Sequence, residues 1–335
     1  MPNIKDVAKA AQVSTATVSH VINGTRFVSE ETRLRVQEAM AELHYTPNFV
    51  ARNLRSKKSG IIGLLVPMLP GDSSNYFFMS VAQGIESVLM ENGYNLVLGN
   101  TKESVQVEKE QLRLFLAQQI DGLILAPAPG DHTFVDGTVG HAIPVVCVDR
   151  RPEGLSGDCV LADGMGGALE TTRLLIRQGH RRIGFLSPVP GISSTEERLQ
   201  GYRQGLEEAG VPFLPELAAA LSPGENGFDS GYRLARRLYE EGGVTALFAG
   251  DNQMAMGALC FFQEAGVSLP GKMALVGFDD YDWSRITTPA LTVVKQPAFK
   301  LGQTAARMVL DRIVQPDKEP ELVRLPTRLV LRASV

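Results

Sequence analysis

Three cysteines in 335 residues, Cys147, Cys159 and Cys260, are too few and too scattered to frame a disulfide-bonded secreted fold. Their number is odd and no Cys-x-x-Cys spacing occurs, so they read as reduced residues of a cytoplasmic chain. The five histidines (His20, His44, His132, His141 and His180) lack metal-ligand spacing, and neither a metal nor an organic cofactor is expected. No Gly-x-Ser-x-Gly elbow is present. The nearest approach to a dinucleotide loop, Gly164-Met-Gly-Gly-Ala, lacks the third glycine, and no acid ends a following strand at the required distance. An enzyme is therefore not expected. No apolar run is long enough to span a bilayer, and the polar start Met1-Pro-Asn-Ile-Lys does not read as an exported leader. That weighs against an exported solute-binding protein.

What the chain does contain is concentrated first in residues 1–60. Ile4-Lys-Asp-Val-Ala-Lys-Ala-Ala, a turn at Gln12-Val13-Ser14 and then a second segment from Thr15 to Asn23 predict two short helices meeting at a tight turn. Ile4, Val7 and Ala8 share one face of the first helix, and Val18, Val21 and Ile22 share one face of the second. Thr15, Ala16, Thr17 and His20 are left outward, where hydroxyl and imidazole groups can meet base edges or phosphates. A third helix is predicted from about Glu30 to Leu43, capped by Ser29, with Val36, Ala39, Met40 and Leu43 inward. A three-helix protein-interaction domain would explain the periodicity but not this surface chemistry.

Charge divides the chain in the same place. Residues 1–60 carry nine Lys/Arg against five acids, a net of +4, whereas the whole chain is −4 and the remainder therefore −8. A basic end on an acidic body suits a local contact with double-stranded DNA, since the body would be repelled by the phosphates.

Residues 1–60 resemble the headpiece of the LacI family of bacterial transcription regulators. The likeness is strongest to the purine-repressor branch, through Ser14-Thr-Ala-Thr-Val-Ser-His-Val-Ile-Asn, Arg26-Phe-Val-Ser-Glu-Glu-Thr-Arg and Glu42-Leu-His-Tyr-Thr-Pro-Asn. The family usually has Gly or Asn in the turn where this chain has Gln12. The resemblance implies that Ser14, Thr17, Asn23 and Tyr45 hold phosphates while Thr15, Ala16 and His20 read bases. It also makes Asn48 to Leu54 a hinge helix, too short to be stable alone in water. Asn48, Ala51, Arg52 and Arg55 accompany Leu54, which would be levered into a central CpG step of a palindromic operator from the minor groove. The bland alternative makes Leu54 an ordinary linker residue.

Beyond residue 60, apolar runs at 61–67, 95–98, 122–126, 145–148, 183–187, 246–249, 274–278 and 291–294 predict strands. They alternate with helical patterns at 77–92, 105–118, 167–178, 196–209, 229–241, 253–265 and 299–313. Such alternation predicts parallel sheets covered by helices on both faces, and about 275 residues exceed one comfortable core. The expected architecture is therefore an all-α helix-turn-helix headpiece (1–46), a hinge helix and linker (47–60) and an α/β body (61–335). Gly179-His-Arg-Arg-Ile-Gly, Glu197-Arg-Leu-Gln-Gly-Tyr, Met254-Ala-Met-Gly-Ala-Leu, Val276-Gly-Phe-Asp-Asp and Thr288-Pro-Ala-Leu-Thr stand where the same family pattern puts them. The body it implies is two-lobed and similar to periplasmic binding proteins, crossing between lobes near residues 160, 290 and 322, with lobe 1 at about 61–160 and 291–321 and lobe 2 at about 161–290 and 322–335.

An effector cleft between the lobes needs planar hydrogen-bonding groups and an aromatic wall, and strand ends in α/β sheets are where these converge. Asp149, Asp251 and Asp279 follow three predicted strands; Arg198 resembles the family's effector-binding arginine, and Phe77 is the candidate ring. Asp149 and Asp279 could instead cap turns, and Arg198 could be a surface residue. Several departures bear on the ligand. Asp251-Asn252 replaces the family's frequent Asn-Asp, the loop Pro70-Gly-Asp-Ser-Ser-Asn-Tyr-Phe-Phe is longer than usual, and Asn226 replaces a common aromatic. These favour a sugar or sugar derivative as effector over a purine corepressor. The tail ends without the heptad extension that makes some members tetrameric, so a homodimer is expected.

Overall fold

The computed structural model describes residues 2–23, 26–45, 59–73, 75–140, 143–222 and 224–335. It divides into two compact units, Met1–Ser59 and Gly60–Val335.

In the first unit, helices α1 (Ile4–Ala10), α2 (Thr15–Asn23) and α3 (Glu30–Glu42) close around Val7, Val18 and Val36, each with no exposed surface. Each helix buries one stripe because each carries only one, and Ala8, Ala11 and Ala39 complete the small core. The ends are fixed by side chains. Asn3 and Asp6 form a reciprocal capping box on α1, and the Ser29 hydroxyl accepts from the Thr32 amide at the start of α3. Gln12 sits in the turn at φ 53°. A side chain in that left-handed region costs roughly 1–2 kcal/mol relative to glycine, which is why glycine or asparagine suits this position.

The second unit contains two six-stranded sheets. The first has strands β1 (Ile61–Val66), β2 (Asn95–Asn100), β3 (Gly122–Leu125), β4 (Val145–Val148), β5 (Asp158–Ala162) and β11 (Leu322–Leu325) in the order β11-β5-β4-β3-β1-β2. The second has β6 (Ile183–Ser187), β7 (Ala218–Ala220), β8 (Ala246–Ala249), β9 (Ala274–Phe278), β10 (Thr292–Lys295) and β12 (Arg328–Val330) in the order β12-β10-β9-β8-β6-β7. Pairing is parallel except between β10 and β12. Near-continuous apolar strands such as Ile61-Ile-Gly-Leu-Leu-Val demand cover on both faces. Helices α4 (Asn75–Glu91) and α12 (Ala298–Val314) cover one face of the first sheet, and α5 (Val105–Ala117) and α6 (Thr133–Val139) cover the other. Helices α7 (Gly164–Arg177) and α8 (Ser193–Glu208) pack on one side of the second sheet, α9 (Gly227–Glu240) and α10 (Asn252–Glu264) on the other, and the single turn α11 (Trp283–Ile286) follows β9.

Two of the crossings expected between lobes fall elsewhere. The strand Thr292–Lys295 belongs to the second sheet, because Val293 and Val294 are fully buried beside β9, so the chain leaves that lobe at Gln296-Pro297 and not near residue 290. Leu322–Leu325 continues the first sheet in register with β5, Leu322 opposite Cys159, so the return lies at residues 326–327 and not near 322. The first sheet thus takes residues 158–162, 322–325 and helix α12, and the second takes 292–295 and 328–330.

Candidate DNA-binding face and effector cleft

On the headpiece, Ser14, Thr15 and Ala16 are exposed, and Thr17 and His20 are half-buried. The Ser14 hydroxyl accepts from the Thr17 amide at 3.0 Å and stands 2.9 Å from the Thr17 hydroxyl, so Ser14 starts α2 as well as facing outward. Tyr45 is half-buried and lays its ring against the headpiece core, which leaves its role to the hydroxyl. Asn23 closes α2, with its side chain undescribed. Asn48, Ala51, Arg52, Leu54 and Arg55 lie outside the described residues, as does the expected hinge helix.

In the body, the strand ends converge as their topology requires. The Asp149 amide donates to Val160 O at 3.0 Å and the Asp279 amide to Val294 O at 2.8 Å, each prolonging a parallel strand pair by one bond. Both backbones then turn left-handed, at φ 69° and 71°, a conformation Asp tolerates better than most residues. Asp251 follows β8 and caps α10, its carboxylate accepting from the Met254 amide at 2.7 Å. Gln296 Nε2 donates to Asp279 at 2.7 Å.

Arg198, on α8, is 8 % exposed. One terminal nitrogen donates to Gly250 O at 2.7 Å, the guanidinium lies 3.9 Å over the Phe278 ring, and its Nε is buried without a partner. Its positive charge acts on Asp149, Asp251 and Asp279 together. Burial nevertheless wins at each: Asp149 and Asp279 stand above the usual carboxylate range, and Asp251 is pushed up to about 6. Arg150 also touches Asp149, Nε to Oδ2 at 3.4 Å, but its two terminal nitrogens each lie 2.8 Å from Glu103.

A cavity of about 850 Å³ opens where α4, the 279–283 loop and the crossover to α12 meet. Asp279 and Gln296 are on its wall, together with Phe77, Tyr281 and Trp283. Phe77 is also 7 % exposed in the core of the first lobe, edge-on to Phe78, so it offers the cavity part of one ring. Asp149, Arg198 and Asp251 join Asp279 through their charges but do not line this cavity. The lobes touch beside it: Gln253 Nε2 donates to Asp72 at 2.7 Å, the Ser73 hydroxyl meets Asn252, and the Arg151 amide donates to Ser193 at 2.8 Å. The sequence reading did not single out Asp72, Gln296, Tyr281 or Trp283. Only the lone Trp, close after Asp279-Asp280, could have drawn attention to that loop.

The order of these parts, a helix-turn-helix unit before a two-sheet body with a polar cleft, has known counterparts. Residues 3–48 match the model of bacterial regulatory proteins of the lacI family, and residues 172–335 match a periplasmic binding protein-like domain. The HTH-type transcriptional repressor PurR of Escherichia coli O139:H28 is 37 % identical over 338 residues, covering 100 % of this chain and 97 % of that protein. The chain belongs to the LacI family. Among solved structures, the Lac repressor dimer bound to operator and the anti-inducer ONPF superposes with a TM-score of 0.87 at 28 % identity, over 99 % of this chain and 98 % of that one. A complex of the transcriptional regulator CelR with cellobiose matches at a TM-score of 0.75 and 30 % identity over the whole of both chains. This LacI-family protein is thus a DNA-binding transcriptional repressor and not an enzyme, and its body has the periplasmic-binding-protein-like architecture. Among the described residues no helix is long and apolar enough to cross a membrane.

Proposed function

We propose that this repressor works in the cytoplasm as a homodimer on a palindromic operator, with its DNA affinity set by a sugar or sugar derivative held between the lobes. The observation that carries the ligand class is the set of half-buried Asp149 and Asp251 and buried Asp279 whose carboxylates feel the charge of buried Arg198, since carboxylates and a guanidinium fork are suited to vicinal hydroxyls. The solved relative holding cellobiose supports this reading. Identity to PurR favours a purine corepressor instead, but Asn226, where an aromatic is common, is occupied in capping α9, accepting from the Phe228 amide at 2.8 Å. A polar cap there supplies no ring for stacking.

In this scheme Thr15, Ala16 and His20 contact bases, Ser14, Thr17, Asn23 and Tyr45 contact phosphates, and Leu54 with Asn48, Ala51, Arg52 and Arg55 engages the operator centre. Ligand binding alters the spacing of the first lobes across the dimer and so biases hinge folding, a coupling through an order-disorder element. The test is fluorescence anisotropy of the full chain on a labelled palindrome with a central CpG, against the same duplex with that step inverted, over a salt series. Tight, salt-dependent binding lost on inversion is expected, and Leu54→Ala should weaken it by a few kcal/mol, roughly the cost of an unsupported kink. Equal weak binding to both duplexes would contradict the reading.

A further inference from the structure

Cys147 and Cys159 are brought together by a pairing that their separation in sequence conceals. They are register partners on the neighbouring parallel strands β4 and β5, flanked by the pairs Val146 with Asp158 and Val148 with Val160. Register partners turn their side chains to the same face of a sheet. Adjacent strands lie about 4.8 Å apart, inside the roughly 4.4–6.8 Å that a disulfide spans between Cα atoms. The sheet therefore already holds this pair at a separation that a covalent bond can bridge.

Both residues are buried, and with Leu161 they form a small cluster apart from the main cores of the first lobe. The side chain packed against that cluster is the half-buried Leu155, in the loop joining the two strands, where Gly154 turns at φ 75°. The two thiols are not equivalent. The Cys147 S–H donates to the Cys159 sulfur, and this contact together with burial pushes the Cys147 thiol well above its usual range. The same contact, aided by the charge of Arg151, lowers the Cys159 thiol in spite of its burial. One sulfur is thus kept protonated while its neighbour is favoured as thiolate, the form that attacks an oxidant.

We propose that Cys147 and Cys159 are a peroxide-reactive dithiol that closes reversibly to an intrachain disulfide between β4 and β5. The Cys159 thiolate attacks one oxygen of hydrogen peroxide, the O–O bond breaks, and a sulfenic acid forms as the departing hydroxide takes up a proton to become water. The Cys147 sulfur then attacks the sulfenic sulfur, and the expelled hydroxyl leaves with the Cys147 proton as a second water. The two thiols give up two electrons and the peroxide accepts them. A dithiol reductant reopens the bond by exchange. In a reducing compartment such a pair stays open until an oxidant appears, the pattern of transient, sensing disulfides. The bond ties the strand that ends before Asp149 to the strand that leads through Asp163 into α7 of the second lobe. The inference is independent of which effector the cleft takes.

The experiment treats the reduced full-length repressor with a small molar excess of hydrogen peroxide, alkylates it with iodoacetamide in denaturant, and maps its peptides by mass without reduction. More than half of the chains are expected to carry the Cys147 and Cys159 peptides joined, two hydrogens lighter than their sum. The far-UV circular dichroism before denaturation should be unchanged, and dithiothreitol should restore both free thiols. Cys260→Ser should form the link to the same extent, because Cys260 lies on α10 in the second lobe. Cys147 and Cys159 both alkylated after the treatment would overturn the proposal. So would Cys159 driven to the sulfinic acid without a link, or a link that forms only once the circular dichroism signal is lost.

Discussion

Asp251 shows how one side chain can serve the fold and the site with different requirements. As the cap of α10 it needs only an acceptor oxygen, yet it is a half-buried acid that feels the charges of Arg198, Asp72 and Asp279. Its carboxyl, raised from 3.8 to about 6, holds its proton more firmly in the folded than in the unfolded chain. The ligand-free protein therefore loses stability as pH rises from the ordinary carboxylate range through 6, and nothing further is lost above it. Asp251→Asn removes that cost, so at pH 7.5 it should stabilise the ligand-free body by up to about 3 kcal/mol, and at pH 5 by roughly half as much. Urea unfolding at the two pH values checks this; a variant less stable at pH 7.5 would contradict the account. At this scale much of the site could be read from the sequence, because Asp149, Asp251 and Asp279 each follow an apolar run that had to be a strand. Gln296 could not, since it meets Asp279 only after the chain crosses between lobes. Phe77 was read as a cleft ring, and most of it is core.

Most body helices were legible, whereas four strands and the short α6 were not. Each body helix with a clear apolar stripe begins within three residues of its expected start: α7 starts at Gly164 rather than 167, α8 at Ser193 rather than 196, and α10 at Asn252 behind its Asp251 cap. Strands β5, β7, β11 and β12 had no distinctive run, since three to five residues carry little periodicity and these mix apolar with small or charged residues. Helix pairing was also hidden, because it depends on what is missing. A Cβ on Gly302 of α12 would lie 2.0 Å from the Val81 carbonyl oxygen, and one on Gly84 of α4 would lie 2.0 Å from that of Phe299, so these helices meet backbone to backbone. Gly302→Ala should therefore destabilise the body by about 1–3 kcal/mol, the overpacking cost outweighing any gain in helix propensity. Gly137→Ala, in the exposed face of α6 with nothing within 4 Å of the added atom, should instead stabilise by up to about 1 kcal/mol. Thermal melts of the two variants that move in the same direction would refute this account of the crossing.

For the whole molecule, sequence charge already separated the parts: a net of +4 on residues 1–60 and −8 on the rest confines attraction for DNA to one end. The fold adds a body whose strand ends collect acids around Arg198 at the junction of two sheets. Sequence could not place all the crossings, because strands 292–295 and 322–325 are assigned to their sheets by long-range pairing alone. Function requires that the two parts be coupled, so that a ligand which prefers one lobe arrangement changes operator affinity by the same factor as operator changes ligand affinity. The most direct measurement is operator binding by anisotropy with and without each of a set of common monosaccharides and disaccharides, for the natural chain and for Arg198→Ala. The account predicts that at least one sugar shifts the operator Kd of the natural chain fivefold or more, and that the shift falls below twofold in the variant at the same sugar concentration. A natural chain indifferent to every sugar, or a variant that responds as fully as the natural chain, would contradict it.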